Sequence, residues 1–313
     1  MTVQPRPPRI SFVTGITENH FLMAGVLAES LDRYFPLIPF YVMDFGLSAP
    51  QQAFFRAKGM LLEMPAGLAK GDHPYKLKSC IGAYLPEGFG VPVWIDADMI
   101  AVSDGTAAVQ ALAAAMAAQG QRFALAPDQG SAASGPHTLA SLAAAPLLKV
   151  PAFAEFVRTH PALAQRPYLN VGWVMYRAGD ALTDWRERAA AFEGDMMWEQ
   201  NAMNSICNAD PGAVQVLDAR VWNVHSGLLD ALGGTADGLH CGGQRCIFLH
   251  ATSPDAAHIS WGEMSFEFAG MPYRNFVKFF THPMLRQLQQ GYMNDFLGAN
   301  LPLLRELGVF APA

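Results

Sequence analysis

Two carboxylates, Asp96 and Asp98, stand two positions apart after Val93-Trp94-Ile95, an apolar run suited to a central strand. Side chains alternate along extended backbone, so residues at i and i+2 point to one side. At the carboxyl edge of a sheet both would reach the same crevice. Two like charges this close are unfavourable unless a cation lies near them. The oxygen pair suits a hard divalent ion such as Mg2+ or Mn2+. The same spacing also fits an ordinary strand end running into a solvated turn, where Asp is common.

The elements that must position this pair are legible upstream. Ile10–Gly15 reads as a strand and Phe21–Leu31 as a helix, Phe40–Met43 as a second strand, and Ser48 caps a helix that Gly59 closes. Met60–Met64 is a third strand, Tyr75–Leu85 a third helix and Val91–Ile95 a fourth strand. Strands alternating with helices imply an α/β fold with a doubly wound, mostly parallel sheet. Such sheets bind ligands beyond the carboxyl ends of their strands. Further on, Thr106–Gln119 reads as an Ala-rich helix, Phe123–Ala126 as a strand, Gln129–Pro136 as a Gly/Ser/Ala loop, Tyr168–Tyr176 as a strand and Met196–Cys207 as a helix. Ile247–His250 ends the last clear strand. From Phe276 the apolar residues Phe279, Phe280, Met284, Leu285, Leu288, Met293, Phe296 and Leu297 fit helical spacing. The expected organisation is one domain over 1–275 with a helical C-terminal extension over 276–313. That extension should pack on the α/β domain or, in a homo-oligomer, on a second copy.

Composition narrows the function. The 313 residues are 51% hydrophobic and 15% charged, against roughly 25% charged on average, which excludes intrinsic disorder. Lys plus Arg is 21 and Asp plus Glu 27, giving −6. This balance argues against a nucleic-acid partner, which needs a basic face. Between Lys278 and Ala313 the cations Lys278, Arg286 and Arg305 barely exceed Asp295 and Glu306, too little for a polybasic membrane anchor. Cys80, Cys207, Cys241 and Cys246 make no disulfide framework in a chain this long. After Pro5-Arg6-Pro7-Pro8-Arg9 no adequate apolar signal region follows, and no run reaches the roughly 20 residues of a membrane span. A soluble, cytoplasmic protein with reduced thiols is expected.

Several segments together resemble a known family. Trp94-Ile95-Asp96-Ala97-Asp98 looks like the Asp-X-Asp motif of GT-A-fold glycosyltransferases, especially the family 8 group of glycogenin and bacterial lipopolysaccharide galactosyltransferases. Thr17-Glu18-Asn19-His20 is similar to its nucleotide-binding Asp-Asp-Asn-Tyr, and Tyr75-Lys76-Leu77 resembles the helix before its Asp pair. Leu169-Asn170-Val171-Gly172 is similar to Phe-Asn-Ser-Gly. Glu199-Gln200-Asn201-Ala202-Met203-Asn204 resembles Asp-Gln-Asp-X-X-Asn, and Phe248-Leu249-His250 looks like the strand that ends in a metal-ligating His. The resemblance covers roughly residues 10 to 260 and lies in the order of its short motifs.

It implies a metal-dependent transfer of a hexose from a nucleotide-sugar, UDP-linked and with retention, to a glycan, lipid or protein acceptor. Asp96, Asp98 and His250 would hold Mn2+ or Mg2+; the imidazole tilts the choice toward Mn2+. Thr14, Thr17, Asn19, His20, Lys76, Asp96 and Gly172 would bind the donor. Gln200, Glu199 and Asn170 would act at the sugar, Gln200 near the reacting carbon. The pattern also departs from the family. No Lys occurs from Ala251 to His258, where the family places one on the diphosphate, so Lys76, Lys78 or Arg245 would have to serve. His20 replaces the Tyr expected to stack on the base. Met43-Asp44-Phe45-Gly46-Leu47-Ser48 is similar to a Tyr-Asp-Leu-Gly-Leu-Ser stretch of related GT-A-like proteins. A haloacid-type phosphatase is disfavoured because the Asp pair follows the fourth strand and Ile100 stands where Thr is needed. A dehydrogenase lacks its Gly-X-Gly-X-X-Gly. The alternative is a non-catalytic nucleotide-sugar-binding protein of the same fold.

Overall fold

The computed structural model describes residues 9–131, 135–145, 148–177, 180–252, 257–268 and 271–309. Four stretches singled out above fall partly outside them: 5–8, 132–134, 253–256 and 310–313. The first half alternates as the apolar periodicity predicts: strand β1 (Ile10–Ile16), helix α1 (Phe21–Tyr34), strand β2 (Phe40–Asp44), helix α2 (Ala49–Ala57) and strand β3 (Leu61–Leu62). Ser48 opens α2 through a reciprocal capping box with Gln51. Helix α3 (Pro74–Ser79) follows, set off by Cys80 from a short helical turn at Ile81–Tyr84, so the expected single third helix is broken. Then come β4 (Val91–Ile95), β5 (Met99–Ala101), α4 (Thr106–Gln119) and β6 (Phe123–Pro127).

After β6 the key pieces are β7 (Leu169–Tyr176), α5 (Trp198–Ala209), β8 (Val214–Val216) and β9 (Phe248–His250). The seven-stranded sheet runs β8-β6-β7-β4-β1-β2-β3. Six strands are parallel; β7 alone is reversed, pairing antiparallel with both β4 and β6. That reversal matters for the site. It brings the start of β7, Leu169 to Gly172, to the edge where β4 and β6 end. Both faces of the sheet are covered, so β1, β4 and β7 are apolar almost throughout and buried.

The C-terminal region departs from the expected helix. Phe276, Phe279 and Phe280 lie in a strand, because Ile259–Phe268 (β10) and Met271–Phe280 (β11) form a hairpin paired from Ile259↔Phe280 to Phe268↔Met271. Aromatic and β-branched residues crowd this stretch and favour extended backbone. The helix, α6, begins only at Pro283 and runs to Glu306. The 275/276 boundary therefore falls inside β11. Helix α6 packs on the chain's own core: Phe296 sits against Phe21 and Phe54, and the Tyr292 hydroxyl donates to the Ala101 carbonyl. Gly25 in α1 is required by this contact, since a Cβ there would lie 2.4 Å from the Phe296 ring. All four cysteines are free and buried. Among the described residues no helix is long and apolar enough to cross a membrane.

Candidate metal and sugar-nucleotide site

Asp96 and Asp98 do converge, though not by strand alternation. Strand β4 ends at Ile95, and Asp96-Ala97-Asp98 form a tight turn into β5, closed by the Met99 N–H donating to the Asp96 carbonyl. Strand β9 lies antiparallel on β5 with His250 opposite Met99. One ligand atom from each of Asp96, Asp98 and His250 lies within 4.8 Å of the others.

The hydrogen bonds around this cluster decide which atoms face inward. The Asn170 Oδ1 accepts from the Gly172 N–H (2.8 Å) and from the Asn223 Nδ2 (2.9 Å). The Asn223 amide is thereby oriented, and its Oδ1 must accept from His250 Nδ1, 2.9 Å away. His250 Nε2 is left with its lone pair toward Asp98 Oδ1 at 3.1 Å and Asp96 Oδ2 at 3.8 Å. A lone pair facing two carboxylate oxygens calls for a proton or cation between them, and a ligating His is typically fixed in this way by its other nitrogen. An octahedral ion with bonds of about 2.1 Å spaces neighbouring ligands about 3 Å apart, which the 3.1 Å His250–Asp98 separation matches and the 3.8 Å His250–Asp96 separation exceeds. The outward carboxylate oxygens are already taken. Asp96 Oδ1 accepts from Lys78 Nζ (2.7 Å) and Trp94 Nε1 (2.6 Å), and Asp98 Oδ2 accepts from Lys278 Nζ (2.5 Å). The donor set therefore fits a divalent cation. Burial alone would raise the Asp98 carboxyl, but the Lys278 ammonium beside it pulls the other way and holds Asp98 well below the usual carboxylate range.

A second polar group lies beside the first. Asp128, just after β6, accepts through Oδ2 from Asn170 Nδ2 and Gln200 Nε2, both at 3.1 Å. The carbonyl of Gln200 accepts from the Val171 N–H at 3.1 Å, so both ends of this side chain are committed. Asp128 Oδ1 faces the Nε2 of buried His225 across 3.9 Å. Helix α5 grips the start of β7: the Tyr168 hydroxyl donates to Asn201, and Asn204 exchanges two bonds with the Leu169 backbone. Glu199 is buried, 3.9 Å from Lys78, and one of its oxygens has no partner among the described residues. Burial pushes its carboxyl up to about 7, against the opposing pull of Lys78.

Other expected residues fall differently. Lys76 points away from the cluster and pairs with Asp72 at the surface; Lys78, two residues on and therefore across the helix, reaches Asp96 instead. Arg245 is exposed on a separate small sheet. Gly172 does not hold space for a ligand. A Cβ there would lie 2.4 Å from His250 Cε1 and 2.9 Å from Asn170 Oδ1, so the glycine makes room for the imidazole. Asn19 is exposed, Thr17 hydrogen-bonds to His20, and the His20 ring packs edge-on against Phe276 at 5.3 Å. Thr14 is buried in β1, and its hydroxyl has no partner among the described residues. Asp44 caps its own turn by accepting from the Gly46 and Leu47 N–H groups. Sequence reasoning missed four residues: Asp128, Asn223, His225 and Lys278. Asp128 carries a signal like that of Asp96, a carboxylate directly after an apolar strand. Lys278 carries none.

No protein-family model matches the chain, and no curated protein is similar to it in sequence. Solved structures similar to it include the galactosyltransferase LgtC in complex with donor and acceptor sugar analogs. That match has 13% identity and a TM-score of 0.47, over 78% of this chain and 87% of LgtC. Mouse xyloside xylosyltransferase 1 in its apo form matches at 11% identity and a TM-score of 0.48, over 77% of this chain and 96% of its own. The apo bifunctional glycosyltransferase WbbM matches at 12% identity and a TM-score of 0.46, over 71% of this chain; the chain spans only 41% of WbbM.

Proposed function

We propose that the protein is a metal-dependent glycosyltransferase of the GT-A kind. It would move a hexose from a UDP-linked donor to a glycan, lipid or protein acceptor, with retention as the family resemblance implies. The observation that carries this reading is the Asp96/Asp98/His250 cluster, whose inward atoms face one another, lying beside the Asp128/Asn170/Gln200 network at the carboxyl edge of the mostly parallel sheet. Phosphate groups and sugar hydroxyls need these two kinds of surface side by side.

When bound, Mn2+ or Mg2+ would supply Lewis-acid stabilisation of the charge that develops on the departing diphosphate. The chain's own residues do the rest. Lys78 and Trp94 hold Asp96 in one orientation, and Asn223 holds the His250 ring. A sugar hydroxyl would donate to Asp128 Oδ1, which the buried His225 ring backs at 3.9 Å. Asn170 and Gln200, locked by backbone contacts, orient the ring without needing to reorganise. Gly172 keeps the His250 imidazole close against β7.

The test is turnover by the purified protein on a panel of nucleotide-sugars. Release of nucleoside diphosphate that requires Mn2+ is expected with one donor. Binding of a donor without any release would make the protein a nucleotide-sugar binder instead.

A further inference from the structure

The run after His250 contains no lysine, yet an ammonium stands at the cluster. It arrives from 180 residues beyond Asp98: Lys278 of β11, whose Nζ lies 2.5 Å from Asp98 Oδ2. The strand that carries it is firmly placed. Gln289 of α6 donates to the Lys278 carbonyl at 2.7 Å and accepts from the Phe280 N–H, and Asn275 Oδ1 accepts from the Leu22 N–H of α1. The Lys278 side chain is 29% exposed and that of Asp98 8% exposed, so Lys278 is the more open member of the pair.

Charge bookkeeping then limits what can bind. Asp96 and Asp98 carry −2, Lys78 and Lys278 carry +2, and His250 as a ligand is neutral. A divalent ion entering alone leaves a largely buried site at +2, which is unfavourable. A nucleoside diphosphate entering with it restores the balance. Resting on the donor-site reading above, we propose that Lys278 is a diphosphate-binding residue parked on Asp98, and that it makes metal binding conditional on the nucleotide. The ammonium exchanges one charge-assisted bond, to the carboxylate, for another, to a phosphate oxygen, as suits a flexible point charge. No covalent bond changes.

Calorimetric titrations of the full chain with MnCl2 alone, with UDP alone, and with UDP at saturating Mn2+ test this. Replacing Lys278→Gln removes the competitor for Asp98 and the contact to phosphate together. Mn2+ alone should bind at least about tenfold tighter to this variant, and UDP with Mn2+ at least about tenfold weaker, as expected for a hydrogen bond to a charged group. Lys278→Arg, which keeps the cation, should stay within about threefold of the wild type in both. A purely structural role would weaken both kinds of binding. Changes in the same direction, unchanged metal affinity, or tighter metal binding with unchanged UDP affinity would each overturn the proposal. The wild-type protein gives a check that needs no variant: UDP should tighten Mn2+ binding at least about tenfold, and uridine should not. Equal effects of the two would also overturn it. If the wild type binds no nucleoside diphosphate at any Mn2+ concentration, the donor-site reading fails. The MnCl2 titrations then still decide whether Lys278 competes for Asp98.

Discussion

Glu199 offers a test that depends on no ligand. It sits in the first turn of α5, buried, with Lys78 Nζ at 3.9 Å and one carboxylate oxygen without a partner among the described residues. Lys78 is already committed to Asp96 at 2.7 Å, so it offsets only part of the desolvation. The carboxyl is raised from 4.5 to about 7 in the folded chain. A raised acid binds its proton more tightly when folded. Its contribution to stability is therefore fully present below the unfolded value and is lost as pH rises through the folded one. At 1.36 kcal/mol per pH unit, the interval from 4.5 to about 7 corresponds to about 3 kcal/mol. Replacing Glu199→Gln removes the titration while keeping the shape. Urea unfolding at steps from pH 4.5 to 8 is the assay. Across that range the wild type should lose about 3 kcal/mol more than the variant, a difference of roughly 6–12 °C in melting temperature at about 2–4 °C per kcal/mol. Parallel pH profiles would refute the claim that Glu199 is a buried, mostly neutral acid below pH 7.

Further expectations concern the site and its support. UDP with Mn2+, at about 100 times its dissociation constant, should raise apparent stability by about 2.7 kcal/mol, readable as a melting shift; no shift with any nucleoside diphosphate would count against a donor site. Gly172→Ala should push the His250 ring away, because the added methyl would lie 2.4 Å from it; Mn2+-supported UDP binding should fall while the melting curve stays cooperative. His250→Asn should lower turnover and be partly rescued by excess Mn2+, whereas an unfolded variant would make His250 a core residue only. Phe296→Ala should cost about 3–5 kcal/mol in urea unfolding, since that ring fills the α1–α6 contact against Gly25; a loss near zero would mean that α6 is only loosely attached.

Sequence alone determined what depends on local pattern. The alternation of apolar strands and amphipathic helices through Ile95 is a short-range property, and β1, α1, β2, α2 and β4 lie close to where periodicity puts them. The Asp96/Asp98 pair was legible because it directly follows an apolar strand of the main sheet; His250 was legible only through the family resemblance, since its strand belongs to a separate two-stranded sheet with β5. The C-terminal hairpin was misread because Phe279, Phe280, Met284, Leu285 and Leu288 satisfy a helical period across the true break at Pro283. The aromatic and β-branched density from Ile259 to Phe280 was the competing signal.

Only the tertiary structure could decide the rest, because it depends on which distant elements meet. The phase of α3 selects Lys78 over Lys76 for Asp96, a matter of about half a turn. The reversal of β7 brings Asn170 and Gly172 to the ligand edge, and that direction is not written in the strand's own residues. Gly172 takes its meaning from His250, 78 positions on, whose ring occupies the space a side chain would need. Lys278 reaches Asp98 only because the β10–β11 hairpin is pinned between α1 and α6 by Asn275 and Gln289. Local propensity is a property of neighbours in the chain. The electrostatics of this site arise from charges that are neighbours only after folding.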